Sequence, residues 1–180
     1  MRRYLPVFFV SLLVAGNIWA QESSEKEIAN KARIMVTIIN NTEWPGQSGT
    51  GEDTFTISVI GQPKFIEKLK QLASQELKAI KNITVRSVTV DDDISQSNVV
   101  FIADGDLSLL AKVLKKVENQ PILTASDVKG FARYGVIVEL ESAKDGGGNV
   151  EYLINKMVLR KSGLKMSEDV VKKAHKTFGK

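Results

Sequence analysis

Residues 121–155 read PILTASDVKGFARYGVIVELESAKDGGGNVEYLIN, and this stretch decides the fold. It opens on Ile122-Leu123-Thr124, the β-branched and aliphatic run of a buried strand. Ser126-Asp127 then offers side-chain oxygens to cap a turn, and Gly130 supplies backbone freedom just ahead of Phe131. Val136, Val138 and Leu140 alternate with Ile137, Glu139 and Glu141, predicting a strand with one apolar face and one that turns acidic. Gly146-Gly147-Gly148 reverses the chain and Val150–Ile154 runs back. A buried strand, a turn bearing Phe131, and a hairpin are therefore expected in that order.

Working outward, the preceding segments alternate helical and strand patterns. Glu25–Trp44 is expected to be helical, because Ile28, Ala32, Met35, Val36 and Ile39 keep one stripe. It closes on TEWP, where Pro45 pushes Trp44 into an extended conformation, and a soft GQSGTGED loop follows. Thr54–Ile60 (TFTISVI) reads as a strand running into Gly61, and Pro63 suits the first turn of a helix carrying Phe65, Ile66, Leu69 and Leu72. Ile83–Val90 alternates as a second strand, and Asn98–Ala103 (NVVFIA) is apolar enough to be buried on both faces. Asp104–Asp106 begin a helix with Leu107, Leu110, Val113, Leu114 and Val117 at core spacing. After the hairpin come a helical turn or two over Lys156–Lys161, a stop at Gly163, and a last helix capped by Ser167 with Glu168-Asp169 at its positive end. Strands alternating with helices imply βα units. The expected architecture is a single-domain, three-layer Rossmann-like α/β sandwich, its sheet mostly parallel with a C-terminal antiparallel hairpin.

Composition and the N-terminus bound the function classes. Arg2-Arg3, an apolar run over Leu5–Ala15 and a small residue at Ala20 have the order of a secretory signal. The run is short beside the roughly 20 apolar residues of a membrane span, so residues 1–20 are expected to be removed near Ala20. Without cysteine there is no lipid-acylation site, no thiol chemistry and no thiolate zinc site. Loss of Arg2 and Arg3 takes two charges from the formal +4, leaving +2. That is too little to argue for nucleic-acid binding.

No constellation of catalytic type stands out, so no catalysis and no cofactor are expected. His175, the one histidine, has no flagged metal or nucleophile partners and is placed in the lysine-rich last helix. Asp91-Asp92-Asp93 lacks the spacing and distal Glu of a calcium loop and reads as a solvated turn. Gly146–Gly148 lacks the strand–glycine–helix setting of a phosphate loop. The basic residues Lys165, Lys172, Lys173, Lys176 and Lys180 could meet an acidic partner or simply solvate a helix face. Phe131 is either an interface anchor or folds back over the sheet edge. Tyr152 either joins it in an aromatic groove or packs across the strands. Asn155 is expected to cap the following helix, and Trp44 either lines a pocket or seals the core.

In sequence order, the lead helix closing on EWP, the strand ending VIG, VVFIA, PILTASDVKGFARYGVIVEL, the hairpin ending YLIN and RKSGLKMSEDVVKKA together resemble the YfiR-like family of periplasmic proteins, named for a repressor of a membrane-bound diguanylate cyclase. The resemblance covers residues 25–178. It departs at Leu153, where the family tends to have Glu within Phe-Glu-Ile-Asn, and at Arg133-Tyr134-Gly135, where a glycine pair is more usual. The resemblance implies a periplasmic regulator that acts by protein–protein contact and lowers cyclic-di-GMP and biofilm output. Its partner would be the periplasmic domain of an inner-membrane signalling protein, a diguanylate cyclase or a histidine kinase, with a homodimer also open. The expected contact surface is Phe131, Arg133, Tyr152 and Leu153. The alternative is a small-molecule sensor with a pocket at the C-terminal ends of the parallel strands, lined by Trp44, Gly61, Ser126 and Asp127.

Overall fold

The computed structural model describes residues 10–46, 54–77, 79–80, 82–144 and 146–179, with side chains from residue 24 onward. Arg2-Arg3, part of the leading apolar run and most of the GQSGTGED loop lie outside the described residues. The elements in order are α1 (Val10–Asn40), β1 (Thr42–Glu43), β2 (Phe55–Ile60), α2 (Pro63–Glu76), β3 (Ile83–Val88), β4 (Val99–Ile102), α3 (Leu107–Lys116), β5 (Leu123–Ser126), α4 (Phe131–Tyr134), β6 (Val138–Ser142), β7 (Val150–Asn155), α5 (Lys156–Ser162), β8 (Lys165–Met166), α6 (Glu168–Lys173) and β9 (Lys176–Phe178). Seven strands form one sheet in the order β3-β2-β4-β5-β6-β7-β9. The first five run parallel, β7 returns antiparallel to β6, and β9 lies parallel to β7. Helices cover both faces, which makes three layers.

The faces follow from strand periodicity. Ile57, Val59, Val99, Phe101, Leu123, Ala125, Val138, Leu140 and Ile154 point to the side covered by α1 and α2, and Phe65 of α2 stacks on Phe101 with ring centroids 4.3 Å apart. Ile60, Val100 and Ile102 point the other way, against Leu110, Val113 and Val117 of α3 and against Phe131 and Ala132 of α4. All residues of β4 and β5 are buried, as expected of parallel strands covered on both sides. Pro63 does open α2, the Asp106 carboxylate caps α3 by accepting from Leu109 N at 2.9 Å, and Ser167 caps α6.

Several expectations are corrected. The lead helix stops at Asn40, because Thr42-Glu43 leave it to pair with Lys165-Met166; at its other end its backbone runs unbroken back through Ala20 to Val10. Leu107 is half-exposed instead of core, since it sits in the first turn of α3 beyond the cover of the sheet. The last helix ends at Lys173, so His175 is not helical. Its N–H donates to Tyr152 O at 2.9 Å and leads into β9, a strand with no alternating apolar signal in its sequence. Glu139 is the clearest departure: it lies on no acidic outer face but is 1% exposed.

Among the described residues no helix is long and apolar enough to cross a membrane.

Candidate functional site

Glu139 organises what surrounds it. Its carboxylate accepts from Gly130 N at 2.7 Å and from Ala132 N at 2.6 Å, at the start of the α4 turn. A buried carboxylate is tolerated only when such donors compensate its lost hydration. Asn155 holds the same turn from the next strand: its Nδ2 donates to Ala132 O at 2.7 Å while its Oδ1 accepts from Val158 N at 3.1 Å, capping α5 as expected. Gly135 closes the turn at φ +129°, and a Cβ there would stand 2.8 Å from Leu114 Cδ1. One carboxylate, one amide and one glycine thus fix α4 as a rigid platform.

That platform determines what the predicted contact residues can do. Phe131 is 3% exposed and packs into the core between α3 and the sheet, so it supports the platform and is no surface anchor. Leu153 is buried directly opposite Glu139 in the β6–β7 register. An apolar residue there spares the buried carboxylate a like-charged neighbour. Tyr152 lies on the opposite side of the sheet from Phe131, so no shared groove exists. It is half-buried, its hydroxyl donates to Val170 O at 2.7 Å, and burial raises its pKa. Arg133 alone of the four is exposed, with its guanidinium carbon 5.7 Å from the centroid of the Phe178 ring. Lys176 Nζ lies 5.2 Å from the same ring. Next to Arg133 stands Tyr134, 60% exposed, and half-exposed Met157 sits against Gly179 at the end of β9. The surface presented is therefore Arg133, Tyr134, Met157 and Phe178, aromatic and cationic together. Sequence reading missed Tyr134, Met157 and Phe178. The available signal was the pair Gly130 and Gly135 bracketing a single helical turn: with Phe131 and Ala132 turned in, its last two positions, Arg133 and Tyr134, face outward.

The residues of the alternative pocket fall apart. Trp44 sits at the N-terminal ends of the strands, edge-on to Phe55 at 5.0 Å, its Nε1 donating to Asn98 O at 3.2 Å. Gly61, Ser126 and Asp127 lie at the C-terminal ends, the full length of β2 away. There Ser126 is buried, donating to Ile102 O at 2.7 Å and accepting from Val128 N, which makes the expected turn. Asp127 instead pairs with the buried Lys31 Nζ at 2.8 Å, and Lys31 also reaches Glu27 at 2.7 Å. Burial pulls the Lys31 pKa down, but hydrogen bonds to Asp127 and Glu27 outweigh it and leave the pKa raised. Burial pushes Glu27 up, and the bonds from Lys31 and Ser142 more than reverse that, leaving it lowered.

The remaining candidates are local. Asp92 accepts from Thr89 N and Oγ1, and Asp93 from Ser95 N, which makes Asp91–Asp93 a solvated turn. Among the described residues no group of three acidic or histidine side chains is placed to hold a metal. His175 Nδ1 lies 3.1 Å from Glu151 Oε2, and both side chains are exposed. A cavity of about 650 Å³ between the ends of α3 and α5 has an aliphatic floor, and its rim lysines, Lys115 and Lys161, already complement two helix C-termini.

Comparison with known proteins places this geometry. Solved structures of similar fold include the ABC domain in complex with L-Trp from Streptococcus pneumonia, with a TM-score of 0.55 and 12% identity over 79% of this chain and 59% of that one. Another is a conserved domain protein from Vibrio cholerae O1 biovar El Tor, with a TM-score of 0.57 and 14% identity over 83% of this chain and 60% of that one. The chain spans about 60% of the length of each, and at these identities the likeness is one of fold. Among curated proteins no sequence matches. The family model DUF4154, described as YfiR/HmsC-like, matches residues 29–175, from the lead helix to the start of the last strand. The chain belongs to the YfiR/HmsC-like family.

Proposed function

We propose that this chain is an exported regulatory binding protein, cleaved near Ala20, that holds the periplasmic domain of a membrane-bound diguanylate cyclase in its inactive conformation. Family membership supports the partner class. The observation that carries the mode of action is the α4 platform, where Tyr134 and Arg133 stand exposed on a turn clamped by Glu139 and Asn155. Exposed tyrosine and arginine on a pre-organised turn are the residue types that anchor interfaces. The cationic character of Arg133 and Lys176 around Phe178 suits an acidic, partly apolar partner surface. Repression is then a population shift: binding the inactive cyclase state more tightly than the active one drains the active state.

The test titrates the purified cyclase periplasmic domain with the mature protein and measures cyclic-di-GMP in cells lacking the gene. Binding together with a rise in cyclic-di-GMP on deletion is expected. Unchanged cyclic-di-GMP and no binding would remove the proposal.

A further inference from the structure

The strand order puts a topological switch point between β2 and β4, because the chain leaves β2 to one side for β3 and returns to the other side for β4. Loops diverging there meet at the C-terminal ends of the strands, the crevice position at which open α/β sheets bind ligands. Its walls are Gly61-Gln62 and Ala103-Asp104, with Asp127 beside them at the end of β5. Asp104 Cβ lies only 3.1 Å from where a Cβ on Gly61 would stand.

The polar groups here are out of balance. The Asp127 side chain is 4% exposed, and its Oδ1 has no hydrogen-bond partner. Its Oδ2 receives Lys31 at 2.8 Å, but that ammonium is shared with Glu27. Two carboxylates therefore face one cation, and Asp104 adds a third negative group nearby. A further donor beside Asp127 is Gln62 Nε2, 3.4 Å from Asp127 Oδ2 and 3.5 Å from Ala103 O. Both distances exceed the 2.7–3.2 Å of a good N–H···O bond. Gln62 reaches this position from a left-handed backbone, φ +43°, which a residue with a Cβ rarely adopts. Its amide nitrogen sits loosely between a carboxylate and a carbonyl, where a tighter-binding nitrogen belongs.

We infer that this crevice binds the primary ammonium group of a small organic solute, which displaces the Gln62 amide and takes the free acceptors of Asp127, Ala103 and Asp104. An ammonium is compact, carries three donors and no acceptor, and so matches a corner rich in acceptors. The inference stands apart from the cyclase reading and needs neither Arg133 nor Tyr134.

The test is a titration of the folded protein with putrescine at low ionic strength, followed by calorimetry and by backbone amide NMR. 1,4-Butanediol serves as the uncharged control and tetramethylammonium as the control without N–H donors. Putrescine should bind, shift the amides of Gly61, Gln62, Ala103 and Asp104, and bind more tightly to Gln62→Ala, which removes the occluding amide. Asp127→Asn should weaken binding by about tenfold or more, the scale of a lost charged hydrogen bond. The exposed Asp104→Asn, which leaves the Lys31 pair untouched, should weaken it while the melting temperature holds. A flat titration in both the wild type and Gln62→Ala would assign the unused Asp127 oxygen to an ordered water and overturn the proposal. Equal binding of tetramethylammonium would reduce the effect to diffuse charge and overturn it as well.

Discussion

Replacing Glu139 with glutamine exchanges one oxygen for an NH2 group and should undo the α4 platform. The carboxylate accepts two backbone N–H groups, from Gly130 and Ala132, through its two oxygens. A carboxamide offers one oxygen and one NH2, so one of those N–H groups is left facing a donor. At 1% exposure no water reaches the site to compensate. Losing one charge-assisted bond and stranding a buried donor costs about 2 kcal/mol. At about 2–4 °C per kcal/mol for a domain of this size, the melting temperature should fall by roughly 4–8 °C. Hydrogen exchange reads the same event locally. The Gly130 and Ala132 amides should exchange far faster in Glu139→Gln, while amides of β2 and β4 shift only by the global change in stability. A variant with unchanged melting temperature and unchanged exchange at both amides would refute the claim that this carboxylate clamps the turn.

Other substitutions separate support from surface. Phe131→Ala should cost about 3–5 kcal/mol in chemical denaturation, as a core deletion; a surface anchor would cost little. Gly135→Ala places a methyl 2.8 Å from Leu114 Cδ1 at φ +129° and should cost about 2 kcal/mol, seen as a lowered denaturation midpoint. The Lys31 cluster predicts two limbs in stability against pH. Glu27 has a lowered pKa, so its contribution is present above pH 4.5 and is lost as pH falls through the depressed value; Glu27→Gln should flatten that acid limb. Lys31 has a raised pKa, so its contribution is complete below about 10.5 and is lost as pH rises through the raised value; Lys31→Met should remove that alkaline limb. Thermal melts across pH check both.

Most of the architecture was legible because apolar periodicity and punctuation agree with each other. VVFIA is an unbroken apolar run and ILTA is broken only by Thr124, and both became strands buried on both faces; Pro63, Gly163 and Ser167 set helix boundaries where their backbone chemistry requires. β8 and β9 were not legible, since a strand of two or three residues carries no period and is specified by its neighbours. The site was read less well for a related reason. Alternation assigns a residue to a face but does not say whether that face is covered. Glu139 was placed correctly opposite Val138 and Leu140, yet the α4 turn lies over it and buries it. The same cover turned Phe131 inward and Tyr134 outward, so the anchor sits three residues along the turn from where an aromatic after glycine suggests. Trp44 and Asp127 were both assigned to the C-terminal ends of the strands, but the topology puts Trp44 at the opposite end of the sheet.

The central claim, that the clamped α4 turn carries the repressing contact, is tested most directly by returning Arg133→Ala/Tyr134→Ala to a strain lacking the gene and measuring cyclic-di-GMP. Both side chains are exposed, so the variant should fold and accumulate in the envelope like the wild type. Losing two anchors of about 2 kcal/mol each should leave cyclic-di-GMP close to the deletion level. Wild-type repression by that variant, at equal envelope abundance, would contradict the account.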